Sequence, residues 1–379
     1  MDGFAAQPKP ESALGTAVKI CMSRGVLATI QPTGDSPIGI FVFGSLNLDL
    51  VGQAPHLPRS GETLTGTEFQ TLPGGKGANQ AVAAARLGIT GAAQTGTGNG
   101  VELVGCVGAD AWGQQLRENL TIAGVGTGGV SIEPAETTGL ALITVATAAD
   151  PQGRHRAGEN HIVLVPGANA RVGDREVQYL DRALCEIPGP HWVLLQLEVP
   201  IESLGRAAAV AQARGATVIL DPAPVPAAAA GSRAPSGRLA ELYPGVDVLT
   251  PNWGEAERLL GRSIDADASV EVFLDAARTL QDQTQVGTVI LTLGDRGLVA
   301  VQADRHWVRP AFPVTVQDTT AAGDAFNGGL VVALSEGRSW EVALDWGRAA
   351  GALATTRLGA QSALPDRATL LRFLRGVSS

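Results

Sequence analysis

The chain has 379 residues, 45% of them hydrophobic and 17% charged, a composition that builds a buried core and excludes general disorder. A net charge of −9 and an isoelectric point near 5.1 exclude broad affinity for nucleic acid or anionic membranes, while leaving room for a local phosphate site. Cys21, Cys106 and Cys185 are widely spaced and form no C-x-x-C pair, which fits buried thiols in a reducing compartment rather than a disulfide framework or a zinc site.

Residues 1–37 read as a poorly ordered extension ahead of one domain over 38–379. Lys19 and Arg24 interrupt the apolar start, and no later run reaches the ~18 residues of a membrane span, so the expected location is the cytoplasm, with no membrane or nucleic-acid partner. The first strand is expected at IGIFVFGS, Ile38 to Ser45, an apolar run ending in Gly-Ser. Buried strands follow at 191–198 (HWVLLQLE), 216–221 (ATVILD), 246–252 (VDVLTPN) and 288–294 (TVILTLG). Between them lie the helix-period stretches IESLGRAAAVAQARG and SVEVFLDAARTLQDQ. This alternation predicts an α/β fold, a doubly wound and mostly parallel sheet flanked by helices. Ligands of such sheets sit beyond the carboxyl ends of the strands, which makes the residues after each strand the candidates. Two segments break the pattern, 46–72 and 138–165, where short strands joined by Pro/Gly turns predict a small β-flap. Gly-, Ala- or Pro-rich stretches at 91–100, 124–129 and 223–237 read as surface insertions.

In GSLNLDLV, 44–51, period-2 alternation puts Asn47 and Asp49 on one face of an extended segment. The pair suits recognition of vicinal hydroxyls and equally suits a polar face on an edge strand. PGGKGANQAVAAARLG, 73–88, is not a P-loop, because Gly77 follows Lys76 where Ser or Thr is required. What remains is a glycine turn opening a helix that packs through Ala78, Val82, Ala85 and Leu87 and projects Lys76 and Asn79 from its first turn, with Gly75 allowing close approach. These groups can bind a polyol, or Lys76 can be solvated at a plain helix start. Glu198 and Asn252 are polar groups at strand ends, and TLGDRG, 292–297, is a glycine-flanked turn able to meet phosphates through its backbone.

DTTAAGDAF, 318–326, leads into a helix whose apolar residues Phe326, Leu330, Ala333 and Leu334 keep helical spacing. Ala321, Ala322 and Gly323 then carry amides at a helix N-terminus, reachable past small side chains and suited to a developing anion. Asp324 in that turn can take a proton from an attacking alcohol, or can serve the helix start itself. His56, His155, His161, His191 and His306 show no ligand spacing.

Taken in order, GSLNLDLV, GGKGANQAVAAARLG, QLE, DPAP, TPN, TLGDRG, DTTAAGDAFNGGL and TRLGAQSALP resemble the phosphofructokinase-B (PfkB) group of carbohydrate kinases, from about Ile38 to Phe373. Within it, GGKGANQA and the Asn-x-Asp pair are similar to the ribose-phosphorylating branch. The resemblance implies a ribokinase-like fold whose β-flap closes as a lid over the sugar and often serves as a dimer interface. It implies sugar contacts at Asn47, Asp49, Gly75, Lys76, Asn79 and Glu198, with Asp324 as base on the primary hydroxyl. It implies nucleotide contacts at Asn252, Thr292, Leu293, Gly294, Asp295, Arg296, Gly297 and Gly323, with Arg348 where such kinases often have His beside the adenine. The implied reaction is D-ribose plus ATP giving ribose 5-phosphate and ADP, with Mg²⁺ on the phosphates. A K⁺ site is implied at Asp318 and the carbonyls of Thr320, Ala354, Arg357 and Gly359, with Ala363 replacing a Ser that can give that ion an oxygen. The alternatives are a related kinase of fructose or a nucleoside, and a non-catalytic sugar sensor.

Overall fold

The structure, a computed structural model, describes residues 39–88, 100–148, 159–187, 189–226, 242–265 and 267–377; the N-terminal extension and most of the stretches at 91–100 and 223–237 lie outside them. Strand β1 (Gly39–Phe43) leads into β2 (Asn47–Ala54), β3 (Glu68–Gly74) and helix α1 (Lys76–Leu87). β4 (Val101–Gly108), α2 (Ala111–Ile122), β5 (Gly126–Glu133), β6 (Gly139–Ala146) and β7 (Asn160–Val165) follow. The middle alternates α3 (Asp174–Glu186), β8 (His191–Gln196), α4 (Ile201–Ala213), β9 (Thr217–Asp221), β10 (Val248–Leu249), α5 (Trp253–Leu260), α6 (Val270–Thr284) and β11 (Thr288–Thr292). A hairpin, β12 (Leu298–Gln302) and β13 (Arg305–Arg309), precedes α7 (Ala322–Ser335), α8 (Trp340–Ala354) and α9 (Arg367–Val377).

The main sheet has nine strands in the order β13-β12-β11-β10-β9-β8-β1-β4-β5. From β11 to β5 every pairing is parallel, and the hairpin closes one end antiparallel. β1 lies between β8 and β4, so the chain winds away from it in both directions, and the ends of β1 and β8 flank the switch point where such sheets hold ligands. Alternation along β1 sends Ile40 and Val42 to one face and Phe41 and Phe43 to the other. The first face packs on α1, α2, α7, α8 and α9 through residues such as Val82, Leu116, Leu330, Leu344 and Leu370. The second packs on α3, α4, α5 and α6 through Leu180, Leu204, Leu259 and Phe273. The predicted doubly wound sheet with helices on both faces is the observed architecture.

A separate four-stranded sheet, β3-β2-β6-β7, occupies the two segments that broke the alternation. β2 is an interior strand of this flap, antiparallel to β3 and parallel to β6, so the edge-strand alternative for Asn47 and Asp49 does not hold.

Three expectations are corrected. β10 is two residues long rather than the seven of 246–252, because Asn252 turns the chain at once into α5. The stretch 124–129 is not an insertion: it enters edge strand β5, where glycines leave room for Tyr179, whose hydroxyl would lie 2.6 Å from a Cβ on Gly128. Cys106 is buried, but Cys185 is exposed on α3, on the side of that helix turned away from the core contacts of Leu180 and Leu184. β4 had no counterpart among the expected strands. Its eight residues are all buried, and Glu102 within it is satisfied by the Gly129 amide at 3.0 Å and the Tyr179 hydroxyl at 2.9 Å.

Helix α1 has almost no solvent face, with Gly77 through Ala85 all buried. Its alanines admit α7 at close range, and a Cβ on Gly328 would fall 2.5 Å from that of Ala83. This approach brings the first turns of α1 and α7 together.

Candidate active site

Glycine builds the first turn. Gly75 adopts φ +87°, a region L-residues avoid, and a Cβ there would sit 2.6 Å from the Asn47 amide nitrogen. Without a side chain, Gly75 cannot cap α1, and Glu198 does so from two residues beyond β8. Its Oε2 accepts from the Lys76 backbone N–H at 3.1 Å, the Ser45 hydroxyl at 2.5 Å and Asn47 Nδ2 at 3.4 Å. A carboxylate at a helix N-terminus is stabilised by the helix dipole, so Glu198 serves α1 as its cap. Asn47 is fixed from its other side by Asn169, whose Nδ2 donates to Asn47 Oδ1 at 2.8 Å and whose Oδ1 accepts from the Leu46 amide at 2.9 Å.

Asp324 lies in the first turn of α7 and is 4% exposed. Asn79 Nδ2 donates to its Oδ2 at 2.9 Å, and Gln80 Nε2 donates to its Oδ1 at 3.1 Å. Asn79 keeps its own Oδ1 buried without a partner. Next to Asp324, Ala321 is held at φ +58° and Gly323 is exposed, with open space where a Cβ would point. The Gly323 and Asp324 amides have no acceptor among the described residues, whereas the Ala322 amide is engaged by the Thr319 carbonyl at 3.3 Å.

The electrostatics join five carboxyl groups to one ammonium. Lys76 Nζ lies 3.7 Å from Asp221 Oδ2 at the end of β9. Burial works against its charge, but Asp221, Asp324, Glu198 and Glu255 together hold Lys76 above the usual lysine range. Burial pushes the Asp221 carboxyl up, with Lys76 opposing. Asp49 on β2 is pushed up to about 7 by burial and then by the charges of Glu198 and Asp324. A cavity of about 340 Å³ opens beside Asn47 and Glu198, walled by Leu164, Val165, Leu197 and Pro224 among others.

The second group of candidates lies at the ends of β10 and β11. Asn252 caps α5 with a reciprocal capping box, its Oδ1 accepting from the Glu255 amide at 2.9 Å while Glu255 Oε2 accepts from the Asn252 amide at 2.8 Å. An isolated bridge pairs Asn252 with Thr292. Thr250 Oγ1 bonds Asn327 Oδ1 at 2.9 Å, and Asn327 Nδ2 donates to the Gly323 carbonyl at 3.1 Å, tying this edge to the Asp324 turn. In the 292–297 turn, Gly294 and Asp295 are exposed. The Leu293 side chain is in the core, and Arg296 donates to the Ala268 carbonyl at 2.6 Å with its guanidinium over Phe273. Arg348 is engaged by Asp345 at 3.0 Å and the Pro310 carbonyl at 2.5 Å, with its guanidinium 3.8 Å from the Phe312 ring centroid.

Asp318 joins two loops: Oδ1 accepts from the Thr320 amide at 2.9 Å and hydroxyl at 2.7 Å, and Oδ2 accepts from the Gly359 amide at 2.8 Å. The carbonyls of Thr320, Ala354, Arg357 and Gly359 accept no hydrogen bond from the described residues. Among the described residues, no cluster of three or more His, Cys, Asp or Glu could hold a metal by itself, and no helix is long and apolar enough to cross a membrane.

Ser45, Gln80, Asn169, Gln196, Asp221 and Glu255 belong to this cluster and were not among the expected site residues. Asp221 ends an apolar strand just as QLE brings Glu198 to one, and Glu255 stands three residues after Asn252, so both carried a readable signal. The two glutamines carried none, since nothing linear pairs positions 116 apart.

The main sheet thus carries an acid-rich cluster at its switch point, with the small flap sheet beside it. The model of the pfkB family of carbohydrate kinases matches residues 38–367. The chain is 37% identical to the ribokinase of Haemophilus influenzae over 333 residues, 88% of this chain and 97% of that protein. Among solved structures it is similar to Thermotoga maritima ribokinase, with 35% identity, a TM-score of 0.70 and coverage of 89% and 99% of the two chains. It is similar also to Arabidopsis thaliana ribokinase complexed with ribose and ATP, with 30% identity, a TM-score of 0.71 and coverage of 90% and 99%. The chain belongs to the pfkB family of carbohydrate kinases.

Proposed function

We propose that this kinase phosphorylates the 5-hydroxyl of D-ribose with ATP, with Asp324 as general base. The observation that carries this reading is the pairing of a buried, doubly hydrogen-bonded carboxylate with two unengaged amides in one helical turn. Asn79, which donates to Asp324, keeps an unpartnered Oδ1, an acceptor that a separate sugar hydroxyl would satisfy. Asn47, Asp49, Gly75, Lys76 and Glu198 surround the space for the remaining sugar oxygens. The hydroxyl oxygen attacks the γ-phosphorus, its proton passes to Asp324, and the bond to the leaving ADP oxygen breaks. The amides of Gly323 and Asp324, with the positive end of α7, offset the charge that gathers on the phosphoryl oxygens. Phosphoryl transfer needs alignment and charge stabilisation more than covalent chemistry, which suits so small a set of groups.

Asn252, the backbone of the 292–297 turn and Gly323 form the nucleotide side, and Arg348 borders it. Mg²⁺ fits a cleft in which carboxylates outnumber the one lysine: Glu255 beside Asn252 would hold its hydration shell, and the ion would neutralise charge on the bridging phosphate oxygens. K⁺ fits the four unengaged carbonyls gathered by Asp318, where it would brace the Asp324 turn. The ribokinase relatives favour ribose over fructose or a nucleoside. A homodimer through the flap is supported by its exposed apolar side chains Phe69, Leu142, Ile162 and Val163.

Coupled measurement of ADP release with ribose, 2-deoxyribose, fructose and adenosine tests the assignment. The expected result is turnover that is highest with ribose. Tight ribose binding with no ADP release would make the protein a sensor and end the kinase reading.

A further inference from the structure

Gln80 and Gln196 are completely buried between the sheet and the start of α7, and neither is needed to hold a sugar or a nucleotide. Gln80 Nε2 donates one hydrogen to Asp324 Oδ1 at 3.1 Å and the other to Asp221 Oδ2 at 2.9 Å. Both hydrogens of that amide are therefore used, and both go to carboxylates. The bond to Asp324 sets this orientation, because a flipped amide would turn its oxygen toward the carboxylate read as the base. Gln80 Oε1 must then face Gln196, whose Nε2 donates to it at 2.7 Å. Fixing Gln196 in this sense leaves its own Oε1 buried without a partner, so close to Gly44 that a Cβ on that glycine would collide with it. Buried acceptors are rarely left unpaired, and here the unpaired atom sits at the end of a chain whose other end is Asp324.

The geometry points to Gln80 as a positioning residue for phosphoryl transfer, with Gln196 locking its amide so that Asp324 is held in one rotation and kept apart from Asp221. This rests on the reading of Asp324 as the base. With Oδ1 tied by Gln80 and Oδ2 by Asn79, the carboxylate plane cannot turn, and each oxygen keeps a lone pair for the incoming hydroxyl. The charges coupled to Asp324 are those of Asp49 on β2, Lys76 on α1 and Asp221 on β9, while Glu198 after β8 and Glu255 on α5 act on Lys76 and Asp221. Lys76 offsets only part of this negative charge, so two uncharged donors from Gln80 matter more than they would beside a balanced cluster.

The test compares wild type, Asp324→Asn, Gln80→Glu and Gln196→Met by steady-state kinetics across pH, with thermal melting alongside. Gln80→Glu keeps size and shape, but brings a third carboxyl to Asp221 and Asp324. It is expected to lower kcat at least ~10-fold at neutral pH and to raise the acid limb of the rate profile by about one pH unit, leaving KM for sugar and ATP within about threefold. Gln196→Met removes the unpaired Gln196 Oε1 and leaves Gln80 Oε1 unpaired in its place, so its melting temperature should hardly move while kcat falls about fivefold. A merely structural role would lower the melting temperature without moving the acid limb. A folded Gln80→Glu protein with wild-type kcat and pH profile overturns the assignment. Should that variant not fold, wild-type kinetics in Gln196→Met does the same. Wild type that phosphorylates no sugar would mean instead that the proposed function has failed, whereas active wild type with inert Asp324→Asn and unaffected glutamine variants would remove the positioning role alone.

Discussion

Replacing Asp324 with Asn would remove the proton acceptor at almost no change in volume, although one of the two donors now bonded to it would face an NH₂ group. kcat is expected to fall by roughly 10²–10⁴-fold, with ribose still bound, and calorimetric titration beside the coupled assay separates the two effects. Asp49 carries a pH signature. Its carboxyl is pushed up to about 7 by burial and the charges of Glu198 and Asp324, above its unfolded value near ~4. The folded state therefore holds that proton more tightly, so the contribution is fully present below pH ~4 and is lost as pH rises through about 7. The difference in melting temperature between wild type and Asp49→Asn, both without ligand, should shrink or reverse across that window; a constant difference would refute it. At this scale the sequence was readable wherever a motif put chemistry beside a turn, as with Asn47, Lys76 and Asp324. It was silent on Gln80, which reads as an ordinary helical residue until the fold sets it against acids 141 and 244 positions away.

Among elements, the meeting of α1 with α7 decides whether the cluster exists. Gly328 sits against Ala83, where a Cβ would fall 2.5 Å away, and Gly328→Val is expected to cost about 1–3 kcal/mol through overpacking and to lower kcat more than it raises KM, since it wedges Asn79 and Gln80 away from Asp324. Chemical denaturation with kinetics on the folded fraction would check both parts. Gly75→Ala strains a φ of +87° and drives a methyl into the Asn47 amide; a loss of about 1–3 kcal/mol is expected, with weakened sugar affinity. Strands and helices of the parallel half were legible because they are long apolar runs punctuated by polar turns. β4 and β5 were not, since a buried glutamate and a run of glycines mask the pattern, and only Tyr179 arriving from α3 explains both.

For the whole molecule, the switch point of the sheet could be expected from alternating elements alone, while the gathering of four acids around Lys76, with Asp49 beside two of them, could not, because these acids come from β2, α5, α7 and the ends of β8 and β9. Asp318 joins the loop before α7 to the loop after α8, so exchange of K⁺ for Na⁺ is expected to lower kcat about fivefold or more, and equal rates in the two salts would remove the ion from the account. The flap leaves the main sheet at Asn47 and again at Gly139 and comes back at Gly74 and Val165, its first excursion beginning and ending beside the groups proposed to hold the sugar. If those groups hold the sugar, a swing of the outer strands carries its proposed contacts Asn47 and Asp49 along, because both belong to the flap strand β2. On that reading flap movement and sugar binding are coupled, and a substitution at the far rim of the flap is expected to change KM for ribose before it changes kcat.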